Sequence, residues 1–335
     1  MRYKELDTLK GIGILLVLLG HSFIVYPINV IDHNQTSQLI HAYIYSFHMP
    51  LFFIISGFLY NVARTKQQSY KDFAVNKAKR LLIPYFFITI VDMIPRMLLP
   101  ALVNQKTDFV DAIEKIVISG GFIWFIYTLF FVFMIFHLIK GIFNLSYGKY
   151  VFLAVLIMLD LFKDNIPHIE LFTMNKVIFY LIFFSIGYII KDNYDMIKNV
   201  LSKNVIVILA AIIFLLTAFR YDTNEVLSII IPFLGIYIAW FICLKLKEGK
   251  ISKFLQECGQ FSLQIYVLEG FFLVGCRVIL IKIFKLSNDF MIISSMFILQ
   301  IALEYLFIKY FTNKIPIISF LLGNKYVKKD KEQQV

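Results

Sequence analysis

Four ionisable side chains stand inside long apolar runs: His21, His48, Asp92 and Glu269. A charged group at the middle of a bilayer costs at least about 2.5 kcal/mol, so such residues face a protein interior and mark pathways or reaction sites. His21 follows Lys10 by eleven residues, about 16 Å of helical rise and three turns, which puts both on one helix face. Asp7 joins that face where the helix begins early, and Gly13 and Gly20 share nearly the same stripe, where a ligand or another helix can come close. A cation at one end of a stripe and an imidazole at mid-membrane suit an anionic ligand threaded along the helix. The cation holds phosphate and the imidazole moves protons near neutral pH. His48, Asp92 and Glu269 fall about 12, 15 and 15 Å into their own runs, so four ionisable residues on four helices reach one depth.

The same residues have plainer roles. Lys10 suits a snorkelling or topology residue, and His21 a hydrogen bond to a neighbouring helix. His48 precedes Met49-Pro50 and can satisfy backbone groups that the proline opens. Asp92 and Arg96 are i,i+4 partners across Pro95, and Glu269 and Glu304 can each be buried in protonated form.

The elements that must position these residues are membrane helices. Of 335 residues 59% are hydrophobic and 16% charged, outside the range of soluble domains, and the excess comes in blocks long enough to cross about 30 Å of hydrocarbon. We expect an all-α, polytopic transmembrane helix bundle of about ten spans, near 11–30, 40–61, 82–102, 120–140, 149–163, 174–191, 203–220, 226–245, 259–282 and 289–311. One membrane domain fills residues 1–323, and 324–335 form a charged tail. Arg2, Lys4 and Lys10 before the first run imitate a signal peptide, but no small-residue cleavage site follows, so the run reads as a retained helix.

The lysine- and arginine-rich segments follow spans two and eight and form the tail, which places both termini in the cytoplasm. The net charge of +11 lies in these short segments and not on one basic face interleaved with aromatics, which argues against nucleic acid as a partner. Cys243, Cys258 and Cys276 fit no zinc or redox spacing and read as small packing residues.

The run Leu6–Ser22, with Lys10 and His21, resembles the first helix of the acyltransferase-3 family of membrane acyltransferases. Phe47–Gly57 resembles its second-helix motif and Lys79–Tyr85 the start of its third helix. Weaker likenesses follow at Ile123–Phe125, Gly259–Tyr266, Pro316 and Leu321–Gly323. Together they extend over nearly the whole chain and are most similar to the fucose 4-O-acetylase-like branch.

The resemblance implies ten membrane helices in a bacterial cytoplasmic membrane. It implies transfer of acetyl from acetyl-CoA to a sugar of a cell-surface or lipid-linked glycan, with no metal or prosthetic group. The family's functional pair is an arginine and a histidine separated by ten residues. Lys10 takes the arginine's place, keeping the charge but losing the bidentate fork, so Lys79 and Arg80 are expected to share the binding of CoA phosphates. Glu269 stands near the place where many relatives carry a late histidine. His21 is then expected to act as general base or transient acyl carrier, with His48 placing the acceptor or polarising the thioester. Asp92, Tyr85, Trp124 and Tyr266 are candidate contacts to sugar or CoA. The alternative from another class is a transporter or exporter of a polysaccharide or related substrate, since buried ionisable residues also mark transport paths. The inverted repeat that would support it is not evident.

Overall fold

A computed structural model describes residues 3–25, 28–29, 34–63, 67–98, 114–163, 173–221 and 223–324. Each of the ten expected apolar runs contains helix in its described part, though the first leaves helix after Ser22. In chain order the helices are α1 (Lys4–Ser22), α2 (Gln35–Tyr45), α3 (His48–Val62), α4 (Tyr70–Lys77), α5 (Ile83–Leu98), α6 (Trp124–Ile139), α7 (Gly148–Leu161), α8 (Met174–Asp192), α9 (Tyr194–Leu201), α10 (Asn204–Thr217), α11 (Glu225–Lys245), α12 (Lys250–Gln260), α13 (Ser262–Arg277), α14 (Asp289–Tyr310) and α15 (Pro316–Leu321). A two-residue antiparallel ladder, Ile24–Val25 with Ile28–Asn29, follows α1.

Three boundaries differ from expectation in ways that matter for the site. Helix α1 begins at Lys4 and ends at Ser22, so His21 stands in its last turn and not midway along it. The second run is two helices meeting at Ser46-Phe47. Pro50 is the third residue of α3, and proline is tolerated in a first helical turn, where its missing N–H has no partner to lose. The ninth run breaks at Phe261, between α12 and α13. Side-chain caps fix other starts: Asn34 accepts from Ser37 N, and Asn224 accepts from Val226 N at 2.8 Å, each satisfying backbone N–H groups that have no helical partner.

Six described stretches are long and apolar enough to cross a membrane: Gln35–Val62, Trp124–Asn144, Met174–Asp192, Glu225–Lys245, Ser262–Ile283 and Asp289–Lys314. The pair Tyr194–Leu201 and Asn204–Arg220, bent by 74°, makes a seventh if it counts as one span. Of the other runs, α1 carries Lys4, Glu5, Asp7 and Lys10 in its first two turns. Helix α7, with 14 residues, rises about 21 Å and falls short of a full hydrocarbon core. The run that begins in α5 continues beyond the described residues. Arg64, Lys66 and the tail lysines after Asn324 also lie outside them, as does the side chain of Arg96.

Two backbone-to-backbone contacts hold the centre. A Cβ on Gly11 would stand 2.0 Å from Leu255 O, so α12 lies directly on α1. A Cβ on Gly57 would stand 1.9 Å from Phe184 O, so α3 and α8 touch in the same way. Small residues at such crossings let membrane helices approach closely enough for dispersion to hold them. The stacking of Phe53 on Tyr180 and the bond from Asn61 Nδ2 to Tyr188 O show that α3 and α8 run parallel. Gly13 and Gly20 leave room for Phe52 and Tyr45 of the neighbouring helices rather than for a ligand.

Candidate functional site

The last turn of α1 and the middle of α13 bring His21 and Glu269 together. His21 Nδ1 donates to Glu269 Oε1 at 2.5 Å, across 248 residues of sequence. The His21 side chain is 31% exposed and that of Glu269 10%, so the imidazole is accessible while its partner is held inside. A carboxylate on Nδ1 selects the tautomer that leaves the Nε2 lone pair free. Glu269 Oε2 is buried without a hydrogen-bond partner. Behind it, Gln300 Nε2 on α14 donates to Glu269 O at 3.2 Å and to Glu304 Oε1 at 2.8 Å. Gln300 and Glu304 are fully buried.

The break between α2 and α3 supplies the next group. In a continuous helix the backbone N–H of His48 would bond to Ile44 O. Here the His48 ring does so, with Nδ1 at 2.8 Å, which matches the plain structural role. It also leaves Nε2 of the buried ring as an acceptor. His41, Tyr45 and His48 recur at i, i+4 and i+7, and the Tyr45 ring lies 3.7 Å from His41 and 4.8 Å from His48. Tyr45 is 6.3 Å from His21 by ring centroids. Three imidazoles and a phenol therefore surround the end of α1. His41 and Tyr45 were not expected from the sequence, although their helical spacing to His48 signals them.

A cavity of about 500 Å³ approaches this group from the other end of the bundle. Its lining runs along α3 from Met49 to Ala63 and along α6 from Phe125 to Phe133, about 21 and 12 Å of rise. Lys10, Lys77 and Arg80 stand in its wall, with no acidic residue among the lining. Lys10 Nζ is 2.8 Å from Asp7 Oδ1, so part of its charge is already balanced. Lys77 Nζ lies 3.4 Å from the centroid of the Phe133 ring. Its burial, with Arg80 nearby, pulls its pKa down to about 7. Lys79 is exposed and lines no part of this cavity, so Lys77, one turn before Arg80, stands where Lys79 was expected. At the deep end the lining includes Tyr266, one turn before Glu269, and Met49, next to His48. It stops short of His21 itself.

A second cavity, of about 410 Å³, opens beside the first turns of α6, α8 and α11 and the end of α7. Trp124, Tyr180 and Tyr221 line it together with Asp160, Lys163, Lys176 and Glu225. The rings of Trp124 and Tyr180 stack at 5.5 Å, and Tyr180 stacks on Phe53 at 4.2 Å. Phe125, next to Trp124 in sequence, faces the first cavity. A layer of aromatic rings therefore separates the two.

The remaining expected contacts are dispersed. Tyr266 accepts from Phe125 N at 3.3 Å and lines the first cavity. Tyr85 is fully buried, and its hydroxyl donates to Ile116 O at 2.6 Å, which commits it to structure. Asp92 is half-buried on α5 and lines neither cavity. Among the described residues no cluster of histidine, cysteine and carboxylate side chains is arranged to hold a metal ion.

A profile described as an acyltransferase domain, that of the acyltransferase-3 family, matches residues 3–321. Nodulation protein NolL of Sinorhizobium fredii (strain NBRC 101917 / NGR234) is 41% identical over 83 residues, which are 24% of this chain and 22% of that protein. The chain thus matches about a fifth of that relative's length. No solved structure matches the chain.

Proposed function

The chain belongs to the acyltransferase-3 family, and from that premise we propose that it moves acetyl from acetyl-CoA to a hydroxyl of a surface or lipid-linked glycan. The setting we propose is a bacterial cytoplasmic membrane. The observation that carries the reading is the His21–Glu269 pair just beyond the deep end of a basic cavity. A CoA thioester has this form: phosphates at one end, a slender arm, and a reactive carbonyl at the other end. Lys10, Lys77 and Arg80 suit the phosphates, and the apolar stretch between Ile55 and Phe133 suits the arm.

His21 acts as the general base. The acceptor hydroxyl gives its proton to Nε2 as its oxygen attacks the thioester carbonyl carbon. The C–S bond then breaks and the departing thiolate takes that proton, leaving the ester and free CoA. Glu269 holds the imidazole in the required tautomer and balances the charge of the imidazolium. With its Nδ1–H committed to Ile44 O, neutral His48 has no donor left for the thioester carbonyl. Its Nε2 accepts, which suits positioning of the incoming hydroxyl.

The test is His21→Ala in cells, with the acetyl content of the surface glycans read by mass spectrometry. The proposal expects that content to fall to the level of a strain lacking the protein. Unchanged acetylation at unchanged protein level would remove the proposal.

A further inference from the structure

We propose that the second cavity is the subsite for the acceptor sugar and that it takes a sugar carrying an anionic group. The inference rests on the acyl-transfer reading and adds the place and the chemical class of the acceptor. Asp160 is the first reason. It is 2% exposed, its Oδ1 is 4.0 Å from Lys163 Nζ, and its Oδ2 is buried with no hydrogen-bond partner. Lys163 is itself engaged by Glu225. A buried acceptor left unsatisfied in a cavity wall is rare in native proteins, and a sugar hydroxyl supplies the missing donor.

Lys176 is the second reason. Its Nζ lies 4.5 Å from the centroid of the Trp124 ring, and among the described residues it forms no ion pair. Lys176 lines this cavity and is exposed, so its charge is available to an anion carried by the ligand. Displacing the ammonium toward that anion also frees the indole face for a sugar ring. Asn224 adds a polar edge: its Oδ1 caps α11, which leaves its amide N–H groups to donate.

Position is the third reason. Trp124 on the second cavity and Phe125 on the first are sequence neighbours. Tyr180, in the same wall as Trp124, stacks on Phe53 near the start of α3, five residues from His48. The rings of Trp124, Tyr180 and Phe53 thus link the wall of this cavity to α3, which lines the first.

The chain has two tryptophans, and Trp240 is buried elsewhere in α11. In a Trp240→Phe background, Trp124 emission reports the cavity directly. Purified protein is titrated with oligogalacturonate, glucose 1-phosphate and maltotriose in the absence of acetyl-CoA. The expected result is a saturable emission change with one or both anionic probes at a concentration at least about tenfold lower than with maltotriose. Response to oligogalacturonate alone assigns a carboxylate, and response to the phosphate alone assigns a phosphorylated sugar. Lys176→Gln is expected to abolish the difference between charged and neutral probes, and Lys176→Arg to keep it. Equal response to maltotriose, no response to any probe, or an unchanged preference in Lys176→Gln would overturn the proposal. Binding is read without turnover, so loss of the acyl-transfer reading would appear separately, as thioester cleavage indifferent to His21.

Discussion

The two cavities differ in how their walls treat charge. The first presents Lys10, Lys77 and Arg80 with no carboxylate in its lining and is otherwise long and apolar. The second mixes Asp160, Lys163, Lys176 and Glu225 with four aromatic rings. A uniformly positive wall selects phosphate and little else, whereas mixed charge with aromatic faces suits a polyhydroxylated ring. The His21–Glu269 pair lines neither cavity. His21 and Glu269 stand just beyond the deep end of the first cavity, where the lining includes Tyr266, one turn before Glu269.

The largest effect that separates these roles concerns the pair itself. Glu269→Gln is expected to lower kcat about a hundredfold, because an amide supports the wrong tautomer and leaves the imidazolium unbalanced. KM for acetyl-CoA stays unchanged, since Glu269 lies outside the first cavity. A rise confined to KM would assign Glu269 to binding. Next in size, Arg80→Ala is expected to raise KM for acetyl-CoA about tenfold while the Trp124 response to sugars stays as in the parent. A change in both would mean that the cavities are not separate sites.

A smaller effect follows from pH. The Lys77 amine, held at about 7, is cationic below that value and neutral above it. CoA affinity should therefore fall several-fold as pH rises from 6 to 8.5 and should stay flat in Lys77→Arg, as isothermal titration would show. A flat profile in the parent would remove Lys77 from the phosphate site. Least affected is Lys79→Ala, expected to change KM less than twofold, because Lys79 lines no part of the cavity.

The chain's helical, membrane-spanning character and the shared helix of Lys10 and His21 were legible in the sequence because hydropathy and helical period act locally. Lys10 and His21 share a helix, so their relation could be counted. Glu269 was legible as an oddity, a carboxylate in an apolar run, but its 2.5 Å bond to His21 depends on where α13 packs. The breaks at Ser46-Phe47 and Phe261 were missed because neither position carries a proline, and the one proline nearby, Pro50, lies beyond the first of them. Lys77 was read for topology alone, since nothing local reveals that it rather than Lys79 faces inward. Asp160 and Lys176 belong to helices that meet only in three dimensions, and Trp124 was the sole expected member of their cavity.

The most direct test uses purified protein and acetyl-labelled acetyl-CoA with a glycan acceptor, comparing the parent with His21→Ala at matched thermal stability. The account predicts label on the acceptor and free CoA thiol in equal amounts from the parent, with both reduced by a factor of about 100 to 10,000 in the variant. Transfer by His21→Ala at the parental rate would contradict it.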